Sequence, residues 1–344
     1  MSLSPLYVSK PGVAFPAVRV DNAEVIRRVR EKYRGPKEDW PAIQSGIEKV
    51  FALCSTETRY LEPSLDARVA DYAARAARKC LAENDASLDE VDLVICGSIP
   101  RQYFEPATAM EICSNLGIKR THAFDVTEAC VGHLEAIHAA AAYMTLHPSY
   151  RTALVCTAEL TYDYLSYDIQ NVRDLRTKSA GLTVGNAAAC VLLQRTPFSR
   201  GSLRVLGIET YTEPNHWELC QVPIGGTFSS SSVELMRLSQ LIPPVMKRNL
   251  DALGLSASDI DHYVFHQPSE IMVRRILEDI GASPDRGIYT HRLYGNTASA
   301  SVGVTYHQLL LERDVRPGDK IVLGSAAAGF SAVQLTGEWT AAPK

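Results

Sequence analysis

Three residues stand where chemistry could be done. Cys130 lies in AFDVTEACVGHLEAIHAAAAYMT (123–145), where a short apolar strand ends near Val126 and an Ala-rich helix begins close to the cysteine. That helix is apolar on nearly every face, which predicts burial. A cysteine at the positive end of a buried helix has its thiolate stabilised, so a lowered pKa and a nucleophile active near neutral pH are expected. Gly132 would permit close backbone approach just after it. The competing reading is one more buried cysteine beside an Ala-rich helix. His133 and His138 follow at helical spacing and read as packed side chains rather than bases. Glu128 reads as a hydrogen-bonded interface carboxylate. His266 ends the strand-like run Tyr263-Val-Phe-His-Gln-Pro-Ser, with Pro268 starting a helix. Asn296 sits in Leu293-Tyr-Gly-Asn-Thr-Ala-Ser-Ala-Ser-Val, a glycine-containing turn that opens another helix at about Thr297. Active residues of open α/β sheets gather outside the carboxyl ends of strands, and all three residues occupy such positions.

The elements that must position them come from an internal duplication. Ser87-Leu-Asp-Glu-Val-Asp-Leu-Val-Ile reads like Ser256-Ala-Ser-Asp-Ile-Asp-His-Tyr-Val, an offset of 169 residues. The same offset sets Asp92 against Asp261, Cys130 against Ser299, and the run 151–157 against 320–326. Two-fold pseudosymmetry would therefore bring the Cys130 and Asn296 turns face to face. Each copy begins with a long amphipathic helix (about 66–85 and 232–253) and a short apolar strand (92–97 and 261–265). A helix, a loop, a second helix and strands rich in Val, Leu and Ala follow. Near-continuous apolar strands alternating with helices predict an α/β protein whose sheets are covered on both faces. Residues 1–198 would form the half carrying the cysteine and 199–344 the half carrying the histidine and asparagine. The break falls where Thr-Pro-Phe-Ser-Arg-Gly-Ser interrupts the pattern. Residues 211–230 read as an irregular excursion, at a substrate entrance or simply on the surface.

Composition excludes several classes. The chain has 344 residues, 46% hydrophobic content and a formal net charge of -4, without the basic footprint of a nucleic-acid binder. No apolar run spans a bilayer, and no signal peptide is legible in Met-Ser-Leu-Ser-Pro, so a cytoplasmic location is the default. The eight cysteines form no Cys-x-x-Cys pair, which argues against zinc. Cys96, Cys156 and Cys190 sit in apolar runs and read as small buried hydrophobes. A serine hydrolase would need Gly-x-Ser-x-Gly, and a nucleotide enzyme a glycine-rich phosphate motif; neither is present.

AFDVTEACVGH, VFHQPS and YGNTASASVG resemble the Cys, His-Gln and Gly-Asn motifs of ketoacyl synthase III enzymes of the thiolase superfamily. They occur in the family's order, with His266 136 residues beyond Cys130 and Asn296 a further 30 on. RTALVCTAEL, LTVGNAAACVLL and KIVLGSAAAGF also fall where family strands belong. The resemblance implies a thiolase-like fold, two αβ halves forming a five-layer αβαβα sandwich. It implies Cys130 as nucleophile, His266 and Asn296 as partner pair, and the backbone N–H groups of Cys130 and Gly329 as oxyanion hole. The thiolate would take an acyl group from a thioester. A second thioester, held by His266 and Asn296 as its enolate develops, would attack the acyl-cysteine and give a β-keto product of fatty-acid or polyketide metabolism. Alternatively, His266 could act as general base on a hydroxyl or amine, giving an ester or amide. The resemblance further implies acyl-coenzyme A or acyl carrier protein thioesters as substrates, no permanently bound cofactor and a homodimer. A non-catalytic partner subunit is the reading from another class, which the intact Cys-His-Asn set disfavours.

Three stretches depart from the family pattern. Before Phe330 the chain reads Ser-Ala-Ala-Ala-Gly, leaving only Gly329 of a glycine-rich loop. After the His-Gln pair no early arginine appears; Arg274 and Arg275 come later. In QYFEPAT (102–108), Phe104 matches the aromatic that a partner subunit lends to the acyl pocket. Glu105-Pro106 resembles instead the olefin-pathway enzymes that join acyl chains head to head, where such a glutamate serves the partner's site as a base. Glu105 reads either as that base or as a first-turn helix carboxylate.

Overall fold

The structure, a computed structural model, describes residues 5–161 and 164–342. Its organisation follows from strand alternation. Along Val91–Cys96, Leu93 and Ile95 face one side, and Val94 and Cys96 the other; Thr152–Glu159 divides in the same way between Ala153, Val155 and Leu154, Cys156. Both faces are apolar, so both must be covered. Val91–Cys96 runs parallel to His122–Asp125 and Thr152–Glu159, and the latter pairs antiparallel with Ala187–Gln194. In the second repeat His262–Phe265 runs parallel to Lys320–Ala327. That strand pairs antiparallel with Gly329–Thr340, which pairs antiparallel with Ser202–His216. The two-residue strand Tyr7–Val8 bonds to both Ala187–Gln194 and Ser202–His216, so all these strands, with Gly12–Ala14 paired to Ala187–Gln194, form one continuous ten-stranded sheet.

Helices Gly132–Leu146 and Ser301–Glu312 occupy the centre. Leu134, Ile137, Met144, Val302 and Tyr306 share one core with Leu93 and Val155 from the first repeat and Ile321 and Leu335 from the second. Helices Val69–Glu83 and Thr108–Leu116 cover the outer face of the first set of strands, and Ile242–Ala252 and Glu270–Ile280 that of the second. The result is the expected five-layer αβαβα arrangement. Each fully buried Leu, Ile or Val contributes about 1.5–3 kcal/mol of transfer free energy. Helices Asn22–Lys32 and Trp40–Cys54, which the sequence reading did not assign, form a separate cluster with Val172–Lys178 through Val29, Ile47, Phe51 and Leu175.

The 169-residue offset is visible in backbone geometry. The single turn Ala129–Val131 corresponds to Ala298–Ala300, and their first residues hold the same left-handed conformation, φ 44° at Ala129 and 45° at Ala298. A non-glycine residue rarely adopts this conformation, so its repetition marks a shared structural device.

Local differences from the sequence reading have local causes. The run 232–253 divides into Ser232–Leu238, a single turn at Ser239–Leu241, and Ile242–Ala252. Pro243 and Pro244 lack N–H groups and fit only the first turn of a restarted helix. Pro268 does not start a helix; Ser269 caps it by accepting from the Met272 N–H. Residues 211–216 are not irregular but continue the strand Ser202–His216, which the Gly329–Thr340 partner holds. The register is interrupted between the pairs at Gly329 and Ser331, opposite Pro214, which cannot donate to the ladder.

Candidate functional site

Cys130 lies on the turn between strand His122–Asp125 and the central helix, and its side chain is half-buried. Its carbonyl accepts from the Ser325 hydroxyl at 2.9 Å, which ties the turn to strand Lys320–Ala327. Gly132 follows because nothing larger fits: a Cβ there would meet the Gly97 carbonyl oxygen at 2.3 Å and approach Ser299 Cβ to 3.6 Å. The start of the Cys130 helix therefore touches the turn three residues beyond Asn296.

The lowered thiol pKa expected from the helix dipole is not found. Burial pushes the Cys130 thiol well above its ordinary value, and Cys220 and Glu159 push the same way. Cys130 precedes the helix rather than starting it, and lost hydration disfavours its thiolate. His133 is buried in the core with Nδ1 2.7 Å from Thr157 Oγ1, and burial lowers its pKa to about 4. His138 is half-exposed and pairs with Glu135.

His266 ends its strand with its N–H donating to the Gly324 carbonyl at 2.8 Å, one residue before Ser325. Cys130 and His266 thus bind consecutive residues of one strand. The imidazole is buried; burial, assisted by His291, lowers its pKa to about 3. It is neutral at physiological pH. Its Nδ1 is buried without a hydrogen-bond partner among the described residues, which favours the tautomer with the proton on Nε2. Gln267 locks the strand end: its N–H donates to Ser301 Oγ, and its amide nitrogen to the carbonyls of Phe265 and Ile288.

The Asn296 backbone bridges to the Thr183–Gly185 segment, its N–H donating to Thr183 O at 2.9 Å and its carbonyl accepting from Gly185 N–H at 3.0 Å. Gly295 is required before it, with φ 66° and no room for a Cβ, which would meet Thr183 O at 2.3 Å. The Asn296 Oδ1 accepts from the Ala298 N–H at 2.9 Å, which fixes the amide orientation and leaves Nδ2 as the donor. Gly329, with φ 138° and a cis peptide to Phe330, begins the strand that pairs with His216.

Phe104 and Glu105 do not join this cluster within one chain. Both are exposed, Phe104 at 78%, on a bend before helix Thr108–Leu116. Glu105 is not a first-turn helix carboxylate: Asp125 instead caps that helix, accepting from the N–H groups of Thr108 and Ala109 at 2.7 and 2.8 Å. Arg274 is held by Glu270 and lies over the Tyr289 ring at 4.0 Å, and Arg275 pairs with Asp279.

Glu159 escaped the sequence reading. It closes strand Thr152–Glu159 fully buried, and accepts from the Ser299 hydroxyl, the Ile99 N–H at 3.1 Å and the Tyr164 hydroxyl at 3.4 Å. Burial raises its carboxyl to about 7 against those hydrogen bonds. The available signal was an acid closing the otherwise apolar run ALVCTAEL.

The family model for 3-oxoacyl-[acyl-carrier-protein] synthase III matches residues 124–214, and the model for its C-terminal part matches residues 250–339. Together they cover just over half the chain, including Cys130, His266 and Asn296. The chain is a ketoacyl synthase III-like member of the thiolase superfamily. This condensing enzyme is 28% identical to the beta-ketoacyl-[acyl-carrier-protein] synthase III of Symbiobacterium thermophilum, over 96% of this chain and 97% of that one. It is 26% identical to the acyl-CoA:acyl-CoA alkyltransferase of Xanthomonas campestris pv. campestris, over 77% and 81%. Its fold superposes with a TM-score of 0.85 on Xanthomonas campestris OleA crystallised with bound lauric acid and lauroyl-CoA, at 21% identity and covering 98% and 100% of the chains. No helix among the described residues is long and apolar enough to cross a membrane.

Proposed function

We propose that the chain joins two acyl thioesters through an acyl-Cys130 intermediate to give a β-keto product. The observation that carries this reading is the convergence of Cys130 and His266 on consecutive residues Ser325 and Gly324, with the Asn296 turn packed against the Cys130 turn. The Cys130 sulfur forms a bond to the acyl carbon, the thiol proton passes to the departing coenzyme A or phosphopantetheine sulfur, and the donor C–S bond breaks. The N–H groups of Cys130 and Gly329 receive the oxyanion. His266 Nε2 and Asn296 Nδ2 then donate to the carbonyl oxygen of the second thioester. A neutral imidazole suits this role, since it donates without carrying charge into a buried site. The enolate forms by loss of carbon dioxide or of an α-proton. Its carbon bonds to the acyl carbon as the Cys130 C–S bond breaks.

Loss of an α-proton requires a base. The exposed pair Phe104 and Glu105 supports a two-fold dimer in which each copy lends this segment to the other's site, Phe104 to the acyl pocket and Glu105 as base. Residues 1–198 and 199–344 would be the two thiolase-like halves. The relatives' names support coenzyme A and carrier-protein thioesters as substrates.

Intact-mass measurement with a panel of acyl-coenzyme A donors tests the reading, with Cys130→Ala as control. A Cys130-dependent adduct discharged by a malonyl thioester or a second acyl-coenzyme A supports condensation. Discharge only by hydroxyl or amine acceptors would establish ester or amide formation instead. The absence of an adduct with both coenzyme A and carrier-bound donors would remove Cys130 from the chemistry.

A further inference from the structure

Among the described residues Glu159 is the only acid that is fully buried, and no lysine or arginine bonds to it. A buried interface could be clasped by neutral amides or hydroxyls without the cost of burying a charge. Here an ionisable group is placed at the junction of the two repeats. From one side it receives Ile99 N–H, and from the other Ser299, which stands at the position equivalent to Cys130 and three residues beyond Asn296. Its surroundings are nearly free of other charge. Ala187 and Ala188 flank it on the neighbouring strand, and Ser98 holds the Ala158 N–H before it. Tyr164 donates to it from the following segment. His133, reaching Thr157 from the central helix, is neutral. Cys130, with Cys220 beyond it, faces this region from the central turn, and Cys96, 3.3 Å from the Ser98 hydroxyl, faces it from the neighbouring strand.

Building on the acyl-Cys130 reading, we propose that Glu159 is a positioning residue that couples the two turns of the site, holding the Asn296 turn through Ser299 and governing the Cys130 thiolate through its charge. Glu159 touches no reacting atom and passes no proton to substrate. Its protonated form adds no charge beside the nucleophile. Its carboxylate, which forms as pH rises through about 7, opposes ionisation of the neighbouring thiol. The gain in thiolate that rising pH would bring is thereby damped in the neutral range.

The test is the rate of Cys130 alkylation by iodoacetamide between about pH 6 and about pH 9, followed by peptide mass spectrometry. In the wild-type chain the rate should rise by clearly less than tenfold per pH unit near neutrality. In Glu159→Gln it should rise about tenfold per unit throughout and exceed wild type about tenfold at the alkaline end, one pKa unit in Cys130 being a tenfold change in thiolate. Glu159→Asp should restore the inflection. Ser299→Ala should lower kcat for the second step while leaving KM for the acyl donor unchanged. A wild-type profile without an inflection overturns the proposal even if no variant folds, as does a Glu159→Gln profile superimposable on wild type. Wild type that acylates on Cys130 but shows no inflection sinks this inference alone; failure to acylate sinks the functional reading, and the alkylation profile still decides the role of Glu159.

Discussion

Replacing Gly132 by alanine should damage both the fold and the site, by amounts that follow from geometry. The added methyl would sit 2.3 Å from the Gly97 carbonyl oxygen, whereas ordinary contact begins at 3.4 Å. The deficit is about 1 Å, and both sides of the contact are backbone, so no side chain can swing away. The central helix must shift against the end of strand Val91–Cys96. Overpacking of this kind costs about 3 kcal/mol. With an unfolding entropy near 2.1 cal/mol/K per residue, a chain of this length has about 0.7 kcal/mol/K, which places the fall in Tm near 4 °C. The same shift carries Cys130 away from Ser325, and a misplacement of about 1 Å costs about a hundredfold in rate. Scanning calorimetry and the Cys130 acylation rate measure the two effects. Gly117→Ala is the control: it has φ 85° but open space around a Cβ, so it should cost only about 1 kcal/mol and leave acylation unchanged. A Gly132→Ala protein that melts within about 1 °C of wild type and acylates normally would refute the close-approach account.

Asn296→Ala should leave acylation of Cys130 intact and slow the second step about 10²- to 10³-fold, as expected for removing one donor to a developing oxyanion; single-turnover mass spectrometry separates the steps. Stability should fall as pH drops from about 6.5 toward about 4. The folded pKa values of His133, His266 and His291 are about 4, 3 and 4, so the unfolded chain binds more protons in that window and gains on acidification. Glu159 acts with the opposite sign between about 4.5 and 7, because its folded pKa is raised, and offsets part of the effect. Urea midpoints across this range should decline with acidification, and a midpoint that rises would contradict it. Asp125→Ala removes two hydrogen bonds from the first turn of Thr108–Leu116 and should cost about 1–2 kcal/mol, read as a lower urea midpoint without loss of Cys130 acylation.

The layers, and the three residues that the fold brings together as a candidate site, were legible in the sequence because they rest on local signals. Short apolar runs such as ALVCTA, too brief for a buried helix, read as strands covered on both faces, and the Gly295-Asn296 turn and the strand ending at His266 carry their own punctuation. What escaped depends on contacts far apart in the chain. Asp125 caps a helix that begins 17 residues before it, and Glu159 meets Ser299 across 140 residues. The state of the Cys130 thiol follows the same pattern: the helix dipole is written in local sequence, whereas the burial that raises the thiol, and the Cys220 and Glu159 charges that add to it, come from distant segments. The run 211–216 looked irregular because Pro214 and the polar residues around it obey no period, yet a partner strand more than a hundred residues away holds it extended.

The two-residue strand Tyr7–Val8 has a consequence beyond its length. It is the seam of the sheet: Leu6 O accepts from Val205 N–H at 2.8 Å on one side, and Ser9 N–H donates to Leu192 O at 2.9 Å on the other. Removing it would uncover backbone donors and acceptors at Leu193–Gln194, beyond the stretch that Gly12–Ala14 still covers, and at Leu203–Arg204. Such edges are templates for another chain, so trimming or crowding this short segment would favour self-association through the sheet, at a place remote in sequence from Cys130, His266 and Asn296.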